Sequence, residues 1–370
     1  MPLQDRVAVV AGATRGAGRG IALALGEAGA TVYCTGRSVR GRPATGDRPE
    51  TVEETAEMVT ARGGTGIAVR TDHTVEEEVR ALFRRVREER GRLDVLVNDV
   101  WGGDDLTEWG KPFWEADAGG GLRMQERAVW SHLLTARHGL PLMVEGGSGL
   151  VVEVTDGDTL RYRGNLFYDL AKTSAIRIAF ALAQELRPHG VTALAVTPGF
   201  LRSEAMLDRF GVTEATWRDA VAQDPFFAES ETPLYVGRAV AALAADPEVW
   251  RKSGGVHASW TLADEYGFAD ADGRRPHWGR FIAPHLDAGR ERLDGRLRGA
   301  LAARGIDPDA VLRLDPEGPT LRYRVPGGTP EWVARPLAEM DLLGDAPERV
   351  AAEVLDRMVP AARAAEIRAV

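Results

Sequence analysis

Tyr168 and Lys172 lie four residues apart in a stretch that reads as a helix, so both side chains share one face. A free phenol titrates near ~10. An adjacent ammonium favours phenolate and brings a tyrosine into the range of acid–base chemistry near neutrality. Such a pair is common by chance and gains meaning only from its company. A second group sits near the start of the chain, where Ala11-Gly12-Ala13-Thr14-Arg15-Gly16-Ala17-Gly18 follows the β-branched run Val7–Val10 directly. Small residues there permit a tight strand-to-helix turn and close backbone approach to a pyrophosphate lying on the helix N-terminus. Gly12, Thr14, Arg15, Gly16, Ala17 and Gly18 are therefore the expected contacts to a dinucleotide. At the end of the next strand an NAD binder would place Asp or Glu for the ribose hydroxyl, and this chain has Thr35-Gly36-Arg37-Ser38. Arg37 together with Arg15 suits a 2′-phosphate, which predicts NADP(H).

The elements that must position these groups alternate through the first two-thirds of the chain. Strands are expected at Val7–Val10, Thr31–Thr35, Gly66–Arg70, Leu93–Asn98, Leu150–Thr155 and Thr192–Val196. Helices are expected at Ile21–Gly29, Thr51–Arg62, Val75–Arg90, near Gly121–Leu140 and at Tyr168–Leu186. Apolar strands separated by helices of this length predict an α/β fold, a Rossmann-like doubly wound parallel sheet. From about Asp287 the texture changes. Asp287–Arg304 reads as an Ala/Leu/Arg helix, Pro319–Pro336 holds two strand-like pieces, and Arg349–Arg368 is amphipathic. The expected organisation is a main domain over 1–286 and a small α+β C-terminal appendage over 287–370. The appendage would pack on the main domain or at a subunit interface.

These motifs together resemble those of the short-chain dehydrogenase/reductase family. The carrying residues are the glycine loop Gly12–Gly18, Asp72 after the third strand, Asn98 after the fourth, Tyr168-x-x-x-Lys172, and Pro198-Gly199 with Ser203 after the sixth. Within the family the chain is most similar to the subgroup resembling dehydrogenase/reductase member 1, through Thr35-Gly36-Arg37, Gly91–Asn98 and Lys111-Pro112-Phe113-Trp114-Glu115. The resemblance covers roughly residues 5–285. It implies hydride transfer assisted by Tyr168, with Lys172 tuning that tyrosine and holding the nicotinamide ribose. It also places Asp72 near the adenine, Asn98 under the cofactor-side turn, and Pro198, Gly199 and Ser203 near the nicotinamide.

The departures from the family pattern bear on the chemistry. The usual Asn-Asn-Ala-Gly stands here as Asn98-Asp99-Val100-Trp101-Gly102-Gly103. The helix position of a catalytic Asn, which normally helps hold a proton-relay water, falls at Ala128, so a different relay is needed or none exists. The usual catalytic Ser maps by gap-free alignment onto Asp156, while Thr155, one residue earlier, carries a hydroxyl. Either could orient the substrate. Asp156 in the pocket would oppose phenolate formation and suit an iminium or amine. Turned away by strand alternation, it would face a loop amide or an arginine such as Arg161 or Arg163.

The aromatic groups Trp101, Trp109, Phe113, Trp114 and Phe210, Trp217, Phe226, Phe227 follow the fourth and sixth strands. They either wall a pocket for a hydrophobic or aromatic substrate or anchor long loops. Asp99, Asp104 and Asp105 read as solvated loop carboxylates, with a metal or amine pocket as the alternative. The histidines at 73, 132, 138, 189, 257, 277 and 285 show no ligand spacing, so no metal is expected. With 46 basic against 55 acidic residues, a formal charge of −9, the chain lacks the basic excess of a nucleic-acid binder. One cysteine, Cys34, excludes an internal disulfide. No apolar run reaches the ~20 residues of a membrane span and the N-terminus has no signal pattern, so a cytoplasmic protein is expected. The resemblance implies a homodimer or homotetramer. The function expected is NADP(H)-dependent reduction of a carbonyl or imine on a hydrophobic small molecule. The altered tetrad leaves non-redox chemistry on the same scaffold (isomerase, cyclase or lyase), or NADP(H) binding without catalysis, as alternatives.

Overall fold

The computed structural model describes residues 1–44, 48–159, 161–315, 320–327 and 330–359. They fall into two compact units: residues 1–160 with 167–278, and residues 161–166 with 279–370.

The first unit alternates strand and helix: β1 (Val7–Ala11), α1 (Gly16–Glu27), β2 (Thr31–Gly36), α2 (Val52–Ala61), β3 (Thr65–Arg70), α3 (Glu76–Arg90) and β4 (Val95–Asn98). After β4 come α4 (Ala118–Gln125), α5 (Ser131–Gly146), β5 (Gly149–Val154), α6 (Leu166–Leu186), β6 (Val191–Thr197), α7 (Glu204–Phe210), α8 (Pro233–Ala245), β7 (Val256–Ala258) and α9 (Ser259–Tyr266). Seven parallel strands run in the order β3-β2-β1-β4-β5-β6-β7. The order reverses between β1 and β4, which opens the crevice where open α/β sheets bind ligands.

Each helix buries one stripe against this sheet. Ile21 and Leu25 of α1, Val59 of α2 and Val236, Val240 and Leu243 of α8 form the core on one face. Val79, Leu82, Phe83 and Val86 of α3, Leu142 and Met143 of α5, and Ala183 and Leu186 of α6 form the core on the other. Every residue of β1 and β6 is buried, as strands covered on both faces require.

Several elements differ from expectation, among them α7, α8 and α9, where no helix is expected. The helix expected near Gly121–Leu140 is α4 and α5 joined by a π-helical turn over Glu126–Trp130. The seventh strand, three residues long, was not foreseen.

The second unit contains α10 (Trp278–Ala302), α11 (Pro308–Val311), β8 (Leu312–Leu314), β9 (Thr320–Tyr323), β10 (Val333–Pro336) and α12 (Ala346–Met358). Its three strands form an antiparallel sheet in the order β10-β9-β8. The boundary expected at 286/287 falls inside α10, because Pro284 sits within that helix without ending it. The part of the Arg349–Arg368 helix beyond Val359 lies outside the described residues.

Candidate active site

The glycine turn after β1 is shaped by close backbone approach. Gly12 has φ of 92°, and a Cβ there would collide with the Asp99 carbonyl. A Cβ on Gly18 would collide with the Gly12 carbonyl. The first turn of α1 already attracts an anion, since the Gly16 N–H donates to Glu204 Oε2 at 2.8 Å, with Arg19 3.6 Å from the other oxygen of that carboxylate. A carboxylate on the helix N-terminus stands where a phosphate oxygen would be favoured. Arg15 Nη2 is buried without a hydrogen-bond partner. The cradle therefore fits a dinucleotide.

The region expected to take a 2′-phosphate is more mixed than the sequence suggested. Arg15 Nε is 3.3 Å from Glu50, which Arg48 grips with two hydrogen bonds of 3.1 and 2.6 Å. Arg37 lies 4.0 Å from Asp72, whose carboxylate accepts from the Thr74 amide and hydroxyl. Arg48 also bonds Asp208 at 2.8 Å, so three guanidiniums face three carboxylates. Glu50 escaped the sequence reading because it precedes α2 in a loop rather than ending β2.

Tyr168 and Lys172 project from α6 beside the end of β5, where Asp156 follows the strand. The Tyr168 hydroxyl donates to Asp156 Oδ2 at 2.7 Å. Thr155 is buried and its hydroxyl donates to the Lys172 carbonyl at 2.8 Å, inside the backbone of α6. Trp101 and Trp109 flank the phenol ring at centroid distances of 5.2 and 5.1 Å, and the Lys172 ammonium lies 4.1 Å over Trp101. Phe113 packs on Phe167. The aromatic residues after β6 behave differently. Phe227 and Trp217 are buried and join Phe200 and Phe210 in a cluster that anchors its loop.

Among the residues expected near the nicotinamide, Ser203 caps α7 by accepting from the Met206 amide, and Gly199 donates to Glu231 Oε2 at 2.9 Å. Pro198 accepts from Thr197 through its carbonyl. Burial pushes the Glu231 carboxyl up to about 8, against the hydrogen bonds from Ser259 and Gly199. Sequence reading offered no signal for this residue.

Asn98 and its neighbours give the largest surprise. The Asn98 amide is fully buried and donates to Glu153 Oε1 at 2.7 Å, in the interior of β5. Glu153 Oε2 meets His132 Nδ1 at 2.6 Å, and His132 Nε2 meets the Val100 carbonyl at 3.0 Å. Both ring partners are acceptors, so the ring fits best as an imidazolium with two donors. Burial opposes that charge, yet Glu153 outweighs it and His132 is shifted up. Asp99 is not a solvated loop carboxylate. It is partly buried and accepts from the Gly18 amide, and desolvation pushes it up to about 7 against the pull of Lys172 and His132. Asp104 accepts from Trp101 Nε1, and Asp105 lies 3.8 Å from Arg127. Among the described residues no group of three His, Cys, Asp or Glu is placed to hold a metal.

Comparison with known proteins agrees with this architecture. Residues 6–210 match the short chain dehydrogenase family. The chain is 39% identical to mouse dehydrogenase/reductase SDR family member 1 over 74% of its length and 85% of the relative's, and 37% identical to the human counterpart over the same shares. A crystal structure of a short chain dehydrogenase from Mycobacterium thermoresistibile superposes with a TM-score of 0.62 at 20% identity, covering 75% of this chain and 92% of that one. The crevice at the β1–β4 switch, the glycine turn and the Tyr168–Lys172 pair on α6 thus sit in a chain that belongs to the short-chain dehydrogenase family.

Proposed function

We propose that this oxidoreductase uses NADP(H) to reduce a carbonyl or imine on a hydrophobic or aromatic small molecule. One observation carries the reading. The Tyr168 hydroxyl is held by Asp156 between Trp101 and Trp109, with the Lys172 ammonium alongside. Bound NADPH would supply the hydride. Tyr168 then donates its proton to the substrate oxygen or nitrogen as the carbon is reduced, and Lys172 stabilises the phenolate left behind. Asp156, accepting from that hydroxyl, favours the phenol over the phenolate, so the tyrosine waits as a proton donor. It also offers a negative charge to an iminium. Thr155, with its hydroxyl bonded to α6, supports the helix rather than the substrate.

Arg37 at the end of β2, where an NAD(H) binder would carry a carboxylate, supports the choice of NADP(H) over NAD(H), with Asp72 flanking the adenine side. Exposed Trp130 on the π-helical turn, Leu133 on α5 and Leu170 and Phe180 on α6, each 40% or more accessible, support a homodimer or homotetramer. Cys34, buried and its thiol shifted up to about 12 by burial, suits a reducing cytoplasm without needing one. No helix among the described residues is long and apolar enough to cross a membrane.

NADPH consumption over a panel of carbonyls and imines tests the activity, and Arg37→Ala tests the cofactor. Loss of a charge-assisted contact of about 1.5–3 kcal/mol should weaken NADPH roughly ten- to hundredfold and NADH far less. Equal loss for both dinucleotides would remove Arg37 from the phosphate. Silence over the whole panel would move the reading to non-redox chemistry.

A further inference from the structure

A small cavity reaches the side chain of Lys172. Asp99, Trp101, Ala128, His132, Val154 and Lys172 are among the residues that line it. Its volume of about 10 Å³ is near the least that one water needs. Three features make it more than a packing gap. Ala128, a small side chain, reaches it from the π-helical turn, an irregularity often found at functional sites. Three titratable groups from three segments meet there: Asp99 after β4, His132 from α5 and Lys172 from α6. Finally, Asp99 as a residue is partly exposed, which puts it at the outer end of the group.

A tyrosine that gives up a proton at each turnover must be recharged. We propose that Asp99 is the positioning residue that returns the proton to Lys172 through this cavity, with the His132–Glu153 pair holding it in place. The inference rests on the reductase reading above. In the direction of reduction, the Tyr168 O–H bond breaks as the substrate O–H or N–H forms. The phenolate then takes a proton from the Lys172 ammonium through water. The resulting amine takes one from water in the cavity, and that water takes one from the Asp99 carboxyl. Bulk solvent reprotonates the Asp99 carboxylate, so one solvent proton enters per turnover and no side chain changes its charge over the cycle.

The surroundings suit a carboxyl that alternates between its two forms. Lys172 faces Asp99 from α6, His132 from α5 with Glu153 of β5 behind it, and the Gly18 amide from α1. The two cations and the amide favour the carboxylate, and desolvation opposes them, leaving the group at about 7. His132 does not relay. Its two ring nitrogens are engaged by Glu153 and the Val100 carbonyl, which fixes the turn that carries Asp99.

Asp99→Asn keeps the shape and an acceptor for the Gly18 amide while removing the proton. Wild-type kcat for reduction should fall as pH rises through about 7, where Asp99 loses its proton. In Asp99→Asn that limb should vanish and kcat should drop by about tenfold or more, with KM and NADPH affinity within about twofold. This loss is smaller than the ~10²–10⁴ of a group acting on the substrate directly. Infrared difference spectra of the chain without cofactor give a readout independent of turnover, a carboxyl titrating near 7 that is absent in Asp99→Asn. A wild type that turns over without the limb, an Asp99→Asn variant with unchanged kcat and pH profile, or a carboxyl titrating with ordinary carboxylates overturns the proposal. No turnover by wild type on any substrate would instead defeat the reductase reading itself, whatever the infrared titration showed.

Discussion

Asp156 and Thr155 are sequence neighbours with opposite orientations, and their chemistry follows from that. Asp156 leaves β5 at its carboxyl end and accepts the Tyr168 proton donor at 2.7 Å, whereas Thr155 turns into the body and donates to the Lys172 carbonyl. A carboxylate beside the phenol holds it protonated and prefers a substrate with positive charge. Asp156→Ser should therefore lower kcat/KM for an iminium substrate roughly ten- to hundredfold, the size of a lost charge-assisted contact of about 1.5–3 kcal/mol. The same variant should gain on neutral ketones. Thr155→Val should cost about 1 kcal/mol of stability through the lost hydrogen bond and leave kcat nearly unchanged. Steady-state kinetics on matched ketone and iminium substrates read the difference. The reverse pattern, an inactive Thr155→Val with Asp156→Ser silent, would hand substrate orientation to Thr155 and remove the case for a cationic substrate.

At the scale of elements, the N-terminus of α1 holds one anion, a carboxylate, where a pyrophosphate would be the second. Arg15 provides no side-chain cap for this helix, and the Gly16 amide is satisfied by Glu204, the first residue of α7. A carboxylate at that end stabilises the helix by roughly 0.3–1 kcal/mol, yet it stands where a pyrophosphate would draw on the same amides. Glu204→Gln should accordingly tighten NADPH binding several-fold and lower the stability of the ligand-free chain slightly. Calorimetric titration and thermal melting measure the two effects, and unchanged or weaker NADPH affinity would show that Glu204 stands clear of the pyrophosphate. This contact also marks where sequence reading reaches its limit. The strand–helix alternation, the glycine turn and the Tyr168–Lys172 spacing are local patterns and were legible. Gly16 and Glu204 are 188 residues apart, Asn98 and Glu153 are 55 apart, and nothing in the local pattern of either residue marks its partner. Asp99 was misjudged for the same reason, since a carboxylate in a Gly/Asp-rich loop looks solvated until the fold lays α1 across it. The short β7 offered too few residues for a strand pattern.

At the scale of the whole molecule, part of the chain between Asp156 and Tyr168 does not belong to the same compact unit as those two residues. Residues 161–166 group with residues 279–370, and within that unit Arg161 bonds Glu339 at 2.7 Å. The unit has buried apolar positions of its own, including Leu293, Leu297 and Leu301 of α10 and Val350, Val354 and Met358 of α12. Gly289 of α10 lies so close to the Leu342 carbonyl that a Cβ there would collide with it. The segment that closes the loop between the proton donor and its carboxylate is thus ordered by residues more than a hundred positions downstream. Arg161 and Glu339 are both more than a third exposed, so their ion pair is worth at most about 1 kcal/mol and Glu339→Gln should be close to silent. Ending the chain after Trp278 removes the partners of this segment altogether. The truncated chain should still bind NADPH, because the glycine turn, Arg15 and Arg37 all lie in the first unit, but its KM for substrate should rise by about tenfold or more as the 161–166 segment loses its support. Substrate titration of the truncated chain, with light scattering to check its mass, measures this. A truncated chain of unchanged oligomeric state and full activity would make the C-terminal unit a passive decoration. A full-length Glu339→Gln variant as impaired as the truncated chain would place the whole effect in that single ion pair.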